Sequence, residues 1–398
     1  MSDKNKNATR RDFLKIVGAG TVGLAISKVS AAKLIRDTQQ KWLLYIGTYT
    51  SGKSEGIYVY QFDSADGKLM PYKIVKNVVE PSFLVIDEGR KFLYAVNETI
   101  DFQGKASGAI SAFAINQEDG GLQFLNQQPS LGGAPCYVTI SKNSKFLLAA
   151  NYVGGNVAVF PIEKDGKLGV PVDLEQHHGS SVNRERQEAA HAHSILLDSN
   201  NKFAYACDLG ADKIFIYGFD ANTGKLLPNA AQPFFQAKPG AGPRHLTFHK
   251  HEKFAFVINE LDSTVTALSY NNKTGELKEI QTVSTLPPGF TGTNTCADIH
   301  IAPNGKFLYG SNRGHDSIVS FKIDSQTGKL EYLENVSTGG KKPRNFAIDP
   351  TGNFLLAANQ DSDNISVFRI EEASGKLKMN NQMSSVPTPV CLKFISSF

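Results

Sequence analysis

One segment recurs along the chain and restricts the fold more than any other feature. It reads Lys91-Phe-Leu-Tyr-Ala-Val-Asn-Glu98, Lys145-Phe-Leu-Leu-Ala-Ala-Asn-Tyr152, Lys202-Phe-Ala-Tyr-Ala-Cys-Asp-Leu209, Lys253-Phe-Ala-Phe-Val-Ile-Asn-Glu260, Lys306-Phe-Leu-Tyr-Gly-Ser-Asn-Arg313 and Asn353-Phe-Leu-Leu-Ala-Ala-Asn-Gln360. A weaker seventh copy, Leu43-Leu-Tyr-Ile-Gly-Thr-Tyr49, comes first. The anchoring phenylalanines are Phe92, Phe146, Phe203, Phe254, Phe307 and Phe354, spaced by 54, 57, 51, 53 and 47 residues. Each copy is an apolar run of strand length. A third strand such as Ile365-Ser-Val-Phe368 follows, and a turn such as Asp220 to Leu226 opens a fourth. Four short strands in a period near fifty residues describe the blade of a β-propeller. Solenoid coils are much shorter, and a sandwich has no reason to reuse one motif seven times.

Eleven residues before each anchoring phenylalanine stands Pro81, Pro135, Ala192, Pro243, Cys296 or Pro343, each opening another apolar run. That run is the first strand of a hairpin. The N-terminal copy lacks one, because Leu43 begins directly with a second strand. The missing strand stands at the other end, within Pro387-Thr-Pro-Val-Cys-Leu-Lys-Phe-Ile395. The chain is therefore expected to be an all-β, seven-bladed propeller over residues 41–398. Its N- and C-terminal strands pair in one blade and so protect the sheet edges.

Residues 1–32 read differently. Thr9-Arg10-Arg11-Asp12-Phe13-Leu14-Lys15 precedes an apolar run from Ile16 to Ile26, and Val29-Ser30-Ala31-Ala32 supplies small residues for cleavage. A charged start, a short apolar core and small residues make a signal peptide, too short for a membrane span. The arginine pair resembles a twin-arginine signal. A periplasmic protein with no membrane contact after cleavage is expected. The net charge of +4 among 398 residues is too small to argue for nucleic acid. Cys136, Cys207, Cys296 and Cys391 lack CxxC spacing and fall on separate blades, so buried free thiols are expected.

In an antiparallel pair, the start of the first strand and the end of the second lie at one rim. The first-strand starts offer Ser82, Cys136, His193, Arg244, Ala297 and Arg344. The second-strand ends offer Glu98, Tyr152, Leu209, Glu260, Arg313 and Gln360. Three arginines, a histidine and two glutamates at one channel mouth suit an anionic, carbonyl-bearing small molecule. A carboxylate or imidazole beside them can activate water. The bland alternative is a set of inter-blade salt bridges. No Gly-x-Ser-x-Gly elbow occurs, so a serine acyl-enzyme is not indicated. His191-Ala-His193 and Asp298-Ile-His300 could each chelate from one strand face, but HxH alone is weak evidence, and no metal is expected. The longest connection, 163–190, carries His177 and His178 and is expected to fold over the mouth as a lid.

The motifs together resemble the seven-bladed lactonase family, which includes propeller-type 6-phosphogluconolactonases and carboxy-muconate cyclases. The matching stretches are Tyr45-Ile-Gly-Thr-Tyr-Thr50, Arg186-Gln187 with His191-Ala-His-Ser194, Gly242-Pro-Arg-His245, Asn259-Glu260, Asp298-Ile-His300, Ser311-Asn-Arg-Gly-His-Asp316 and Pro343-Arg-Asn-Phe346. The resemblance covers essentially everything after residue 40. It implies hydrolysis of a sugar lactone without an obligatory cofactor; with the rim arginines, an anionic lactone is the expected partner, and the protein is expected to be a monomer. By motif position it places catalytic roles on His193, Arg244, Glu260 and Arg313, with His191, His245, Asp298, His300, Arg344 and Glu98 around the substrate. Glu260 or His193 would serve as base, while Arg244 and Arg313 would hold the anion and polarise the carbonyl. Two departures stand out: Ala189-Ala190 replaces a Pro-containing approach to the histidine pair, and Asp298 stands where Glu is commoner. A muconate-type cyclase and a non-catalytic binding propeller remain alternatives. For an exported member, unphosphorylated aldonolactones fit better than a cytosolic sugar phosphate.

Overall fold

A computed structural model describes residues 41–251 and 253–397; the signal peptide expected over residues 1–32 lies outside them. The described residues form seven antiparallel sheets, each led by one of the strands expected from the repeat. In chain order, blade 2 spans Leu84–Pro129, blade 3 Pro135–Gln176, blade 4 Ala192–Gln236, blade 5 Pro243–Ser284, blade 6 Thr295–Ser337 and blade 7 Pro343–Ser385. Blade 1 is composite. Its strands Lys41–Thr48, Gly56–Asp63 and Lys68–Lys76 are completed on the inside by Pro389–Ser396, which pairs with Lys41–Thr48. Blade 4 has a fifth strand because its outer edge is split into Leu226–Pro228 and Phe234–Gln236, both paired to Lys213–Phe219. The first strands of successive blades are neighbours all the way round, so they line the central channel.

The anchoring phenylalanine and the Gly-Lys-Leu turn explain each other. A Cβ on Gly166 would meet the Phe92 ring, and the same holds for Gly224 with Phe146, Gly275 with Phe203 and Gly328 with Phe254. Gly375 with Phe307 and Gly67 with Phe354 continue the series. At the remaining junction Gly120 lies against Leu43, the residue at the start of the weaker seventh copy. Each blade thus lays one apolar side chain across the bare glycine of the next blade's outer turn, and the series closes the ring from blade 7 to blade 1. Hydroxyls add to it where the motif carries tyrosine. Tyr45, Tyr94, Tyr205 and Tyr309 donate to the carbonyls of Gly120, Gly166, Gly275 and Gly375 at 2.7, 3.0, 2.8 and 2.8 Å. Buried hydroxyls need such partners. The apolar residues form clusters that straddle neighbouring blades, as in Phe203, Tyr205, Leu246 and Val257 between blades 4 and 5. All four cysteines are buried and free.

Candidate active site

The first strands of blades 3, 4, 5 and 7 do not begin regularly. In each, the register slips by one residue just inside the strand, between Pro135 and Tyr137, Ala192 and Ser194, Pro243 and His245, and Pro343 and Asn345. The residues left unpaired are Cys136, His193, Arg244 and Arg344. A β-bulge re-aims its extra side chain, and here the same bulge repeated round the ring brings these residues together. In blade 6 the slip spans Cys296 to Ile299 and takes in Ala297 and Asp298. The expectation that His191 and His193 share a face fails for this reason. His191 stacks on Tyr152 (centroids 4.6 Å apart) and bonds Glu188 at 3.0 Å, while His193 turns into the channel mouth.

A cavity of about 350 Å³ opens there, lined by Tyr49, Glu98, Cys136, Tyr152, Arg186, His193, Glu260, Thr295, Arg313 and Arg344. Glu260 is its electrostatic centre. Its Oε2 accepts from Arg244 Nε at 2.9 Å and is paired with Arg313 Nη2 at 2.9 Å, while Oε1 accepts from Arg186 Nη2 at 2.7 Å. Burial pushes its carboxyl up, but Arg313, Arg244 and Arg186 outweigh that and hold it at about 2. The partner is affected oppositely: burial, Arg313 and Arg344 pull Arg244 down to about 10. Glu260 itself favours the charged arginine, against the burial and the neighbouring arginines that lower it, and both partners remain charged at neutral pH.

His193 stands at 3.9 Å from Glu260 Oε2 through Nε2. Burial, Arg244, His245 and Arg344 hold it well below the usual histidine range, so the ring is neutral at pH 7. Cys136 Sγ lies 3.3 Å from the His193 carbonyl oxygen and 3.7 Å from its Nδ1. Burial pushes the Cys136 thiol up, which keeps it protonated. The tautomer that donates Nδ1–H to Cys136 Sγ, while the thiol donates to the carbonyl, carries its lone pair on Nε2.

Arg344 is the least committed of the arginines at the mouth. It lies 3.8 Å from Glu98 and 5.3 Å from the Tyr49 ring centroid. Burial lowers it, but Tyr49, Glu98 and Glu260 more than compensate and it stays charged. Glu98 accepts from Tyr49 Oη at 2.9 Å and from Ser82 Oγ.

The remaining expected residues lie deeper. Arg244 is outside the cavity lining and borders a small adjoining space with His245 and Asn345. Its Nη1 donates to Ala297 O at 2.5 Å and to His245 Nε2 at 3.2 Å. His245 Nδ1 in turn donates to Asp298 Oδ1 at 2.8 Å, and His300 Nε2 lies 2.9 Å from Asp298 Oδ2. Asn345 also donates to Asp298. Burial and Arg244 bring His245 down to about 4. Burial raises the Asp298 carboxyl, but His300 and the bonds from His245 and His300 hold it well below the usual range. Asp298, His245 and Arg244 thus form a buried series that ends on Glu260. Among the described residues no three His, Cys, Asp or Glu side chains gather as a metal site.

Arg186 is the main residue that sequence reasoning did not place. It arrives from the long connection, bonding Glu260 and, at 3.2 Å, Tyr152 Oη. The connection does reach the mouth, but its histidines do not. His177 is buried against Asp208 at 2.8 Å and stacks on Phe215, and His178 is exposed. Tyr49, Cys136, Tyr152 and Thr295 complete the lining; rim position alone marked Cys136 and Tyr152.

A family model for lactonases of the seven-bladed β-propeller type matches residues 43–394. The chain belongs to this family. Among curated proteins it is 39% identical over 355 residues to the 6-phosphogluconolactonase of Bacillus subtilis, covering 89% of this chain and 99% of that protein. It is 37% identical over 310 residues to the 6-phosphogluconolactonase of Formosa agariphila, covering 77% and 86%. Among solved structures, the periplasmic gluconolactonase of Pseudomonas aeruginosa superposes with a TM-score of 0.84 at 35% identity, covering 90% of this chain and 99% of that one. The bulged first strands and the arginine-clamped glutamate are thus features of a lactonase-family propeller.

Proposed function

We propose that this protein hydrolyses a sugar lactone at the channel mouth, with His193 as general base. The observation that carries the reading is a neutral imidazole beside a carboxylate clamped by three arginines, in a cavity sized for a small ligand. Glu260 is a poor base, because its three cations hold it near 2. His193 is in the accepting form at neutral pH. Its Nε2 takes a proton from water as the water oxygen attacks the lactone carbonyl carbon. Arg344 is the least engaged cation and faces the same cavity, so it suits the developing oxyanion, with Arg313 beside it. The ring C–O bond then breaks, the ring oxygen takes the proton back from His193, and a hydroxy acid leaves. Glu260 compensates the transient imidazolium from 3.9 Å. Arg244, expected to touch the substrate, instead positions Glu260 from behind. Relatives named 6-phosphogluconolactonase and gluconolactonase support the substrate class.

The test is a panel of gluconolactone, 6-phosphogluconolactone and muconolactone. His193→Ala and Arg344→Ala are each expected to lower kcat by about 10²–10⁴-fold, the usual worth of a proton-transfer or oxyanion group. Lactone turnover no faster than in buffer rejects the lactonase reading; full activity in His193→Ala rejects the base assignment. The same proposal holds that residues 1–32 direct export of a monomer to the periplasm, supported by the Arg10-Arg11 motif and the periplasmic relative. Replacing both arginines by lysine should leave the protein in the cytoplasmic fraction; unchanged export overturns this part.

A further inference from the structure

The catalytic cavity does not end at the arginines. A second space of about 470 Å³ adjoins it between blades 6 and 7 and shares Thr295, Arg313 and Arg344 as a common wall. Its other walls include Thr293 from the connection into blade 6, Asp316 of blade 6, Lys341 and Lys342 from the connection into blade 7, and Asp361 of blade 7. Each of the two spaces is within the range that holds a small ligand. A one-ring lactone with its carbonyl at Arg344 occupies the first and leaves the second unused.

The charge of the second space says what it takes. Beyond the shared arginines, its walls carry Lys341 and Lys342 against Asp316 and Asp361, so the two signs cancel. Lys342 is committed to Asp361 at 2.6 Å. Asp316 accepts from the backbone N–H groups of Lys342 at 2.8 Å and Gly314 at 3.1 Å. Gln360 donates to Asp361 at 3.2 Å. Of the shared arginines, Arg313 is paired with Glu260 at 2.9 Å and Arg344 is taken by the lactone carbonyl, so a phosphate here would face two carboxylates with Lys341 as its one uncommitted cation. An uncharged polyhydroxyl group would find carboxylates and a carboxamide as acceptors, with Thr293 and Lys341 as donors.

Resting on the lactonase reading, we infer that the substrate is an aldobionolactone, a lactone ring bearing an uncharged glycosyl substituent that occupies the cleft between blades 6 and 7. Ring opening proceeds as above, and the substituent contributes binding and orientation away from the reacting carbonyl.

The experiment compares kcat/KM for cellobionolactone, gluconolactone and 6-phosphogluconolactone in the wild type and in Thr293→Trp. Thr293 is exposed on the cleft wall, so the indole can fill the space without disturbing the core. The wild type is expected to prefer cellobionolactone over gluconolactone by about tenfold or more, with no gain for 6-phosphogluconolactone. In Thr293→Trp the ratio of cellobionolactone to gluconolactone should fall toward one. Hydrolysis of gluconolactone with no preference for cellobionolactone, or with 6-phosphogluconolactone preferred, overturns the inference and leaves the lactonase reading standing. A preference that survives Thr293→Trp and Lys341→Trp alike also overturns it. Failure to hydrolyse any of the three overturns both.

Discussion

At the scale of single residues, the candidate site holds two groups displaced in the same direction for different reasons. His193 is held low mainly by burial, and Glu260 is held low by arginines against its burial. Their consequences for pH follow from linkage. An unfolded histidine takes up a proton near 6.5, whereas folded His193 does so only well below that value. The unfolded state therefore binds the proton first, and stability falls as pH drops below 6.5. The Glu260 contribution is complete above about 4.5 and disappears as pH falls toward about 2. The base function proposed for His193 responds to the folded value alone. Activity should hold flat through neutral pH and decline on an acid limb whose midpoint lies below 6.5. A kcat/KM profile with its midpoint above 7 would contradict a depressed His193 as base. Glu260→Gln carries a second, separable penalty. It leaves Arg244 buried without its anion, and breaking such a pair costs about 3–5 kcal/mol. Denaturant melts should show that loss, while Arg186→Ala, at the half-exposed end of the cluster, should cost about 1 kcal/mol or less.

At the scale of the element, the blade junction is the unit that the repeat encodes. Gly328 has φ +72° and would place a Cβ 2.5 Å from the Phe254 ring, which is buried. Gly104 has a similar φ of +75° with nothing within 4 Å. The two substitutions to alanine separate backbone from contact. Gly104→Ala should cost about 1 kcal/mol, the left-handed penalty for a residue with a Cβ. Gly328→Ala should cost that plus about 1–3 kcal/mol of overpacking, read from urea midpoints. Equal losses at both sites would mean that the glycines serve φ alone. These junctions were legible because each strand begins at its own anchoring phenylalanine, so period and strand start coincide. The bulges were not legible. A register slip leaves the apolar pattern of the strand intact and shows only when the partner strand is in place. Rim position therefore located His193, Arg344, Glu98, Glu260 and Arg313 correctly, yet it could not separate Arg244, turned beneath Glu260, from arginines facing the cavity. Nor could it find Arg186, whose approach to Glu260 spans 74 residues of chain and depends on a connection without periodicity.

At the scale of the whole molecule, six blades are continuous in sequence and one is not. Pro389–Ser396 supplies the channel-lining strand of blade 1 and pairs with Lys41–Thr48 from Trp42 opposite Ser396 to Thr48 opposite Pro389. It is also tied sideways. Leu392 N donates to Asn345 Oδ1 of blade 7 at 2.8 Å, and Leu84 N of blade 2 donates to Cys391 Sγ at 3.3 Å. Removing residues 389–398 would leave Lys41–Thr48 as an inner sheet edge. It would also expose the buried Leu44, Ile46 and Tyr45 and open the ring where it closes. A domain has only about 5–15 kcal/mol in hand, and burying several large side chains is worth about 1.5–3 kcal/mol each. The truncated chain should therefore lose cooperative unfolding altogether. The converse test keeps every contact and changes only connectivity. Ser397 N and Oγ donate to Lys41 O at 3.0 and 2.7 Å, so the two ends of the described chain already meet. Joining residue 397 to residue 41 by a short linker, and reopening the chain at the exposed turn around Gly289 between blades 5 and 6, makes blade 1 continuous and leaves every other blade whole. This permutant should fold with a Tm at or above that of the parent lacking residues 1–40. If it unfolds as readily as the truncated chain, covalent order matters more than closure; if the truncated chain still melts in one sharp transition, the strand is an accessory to a ring held by its junctions.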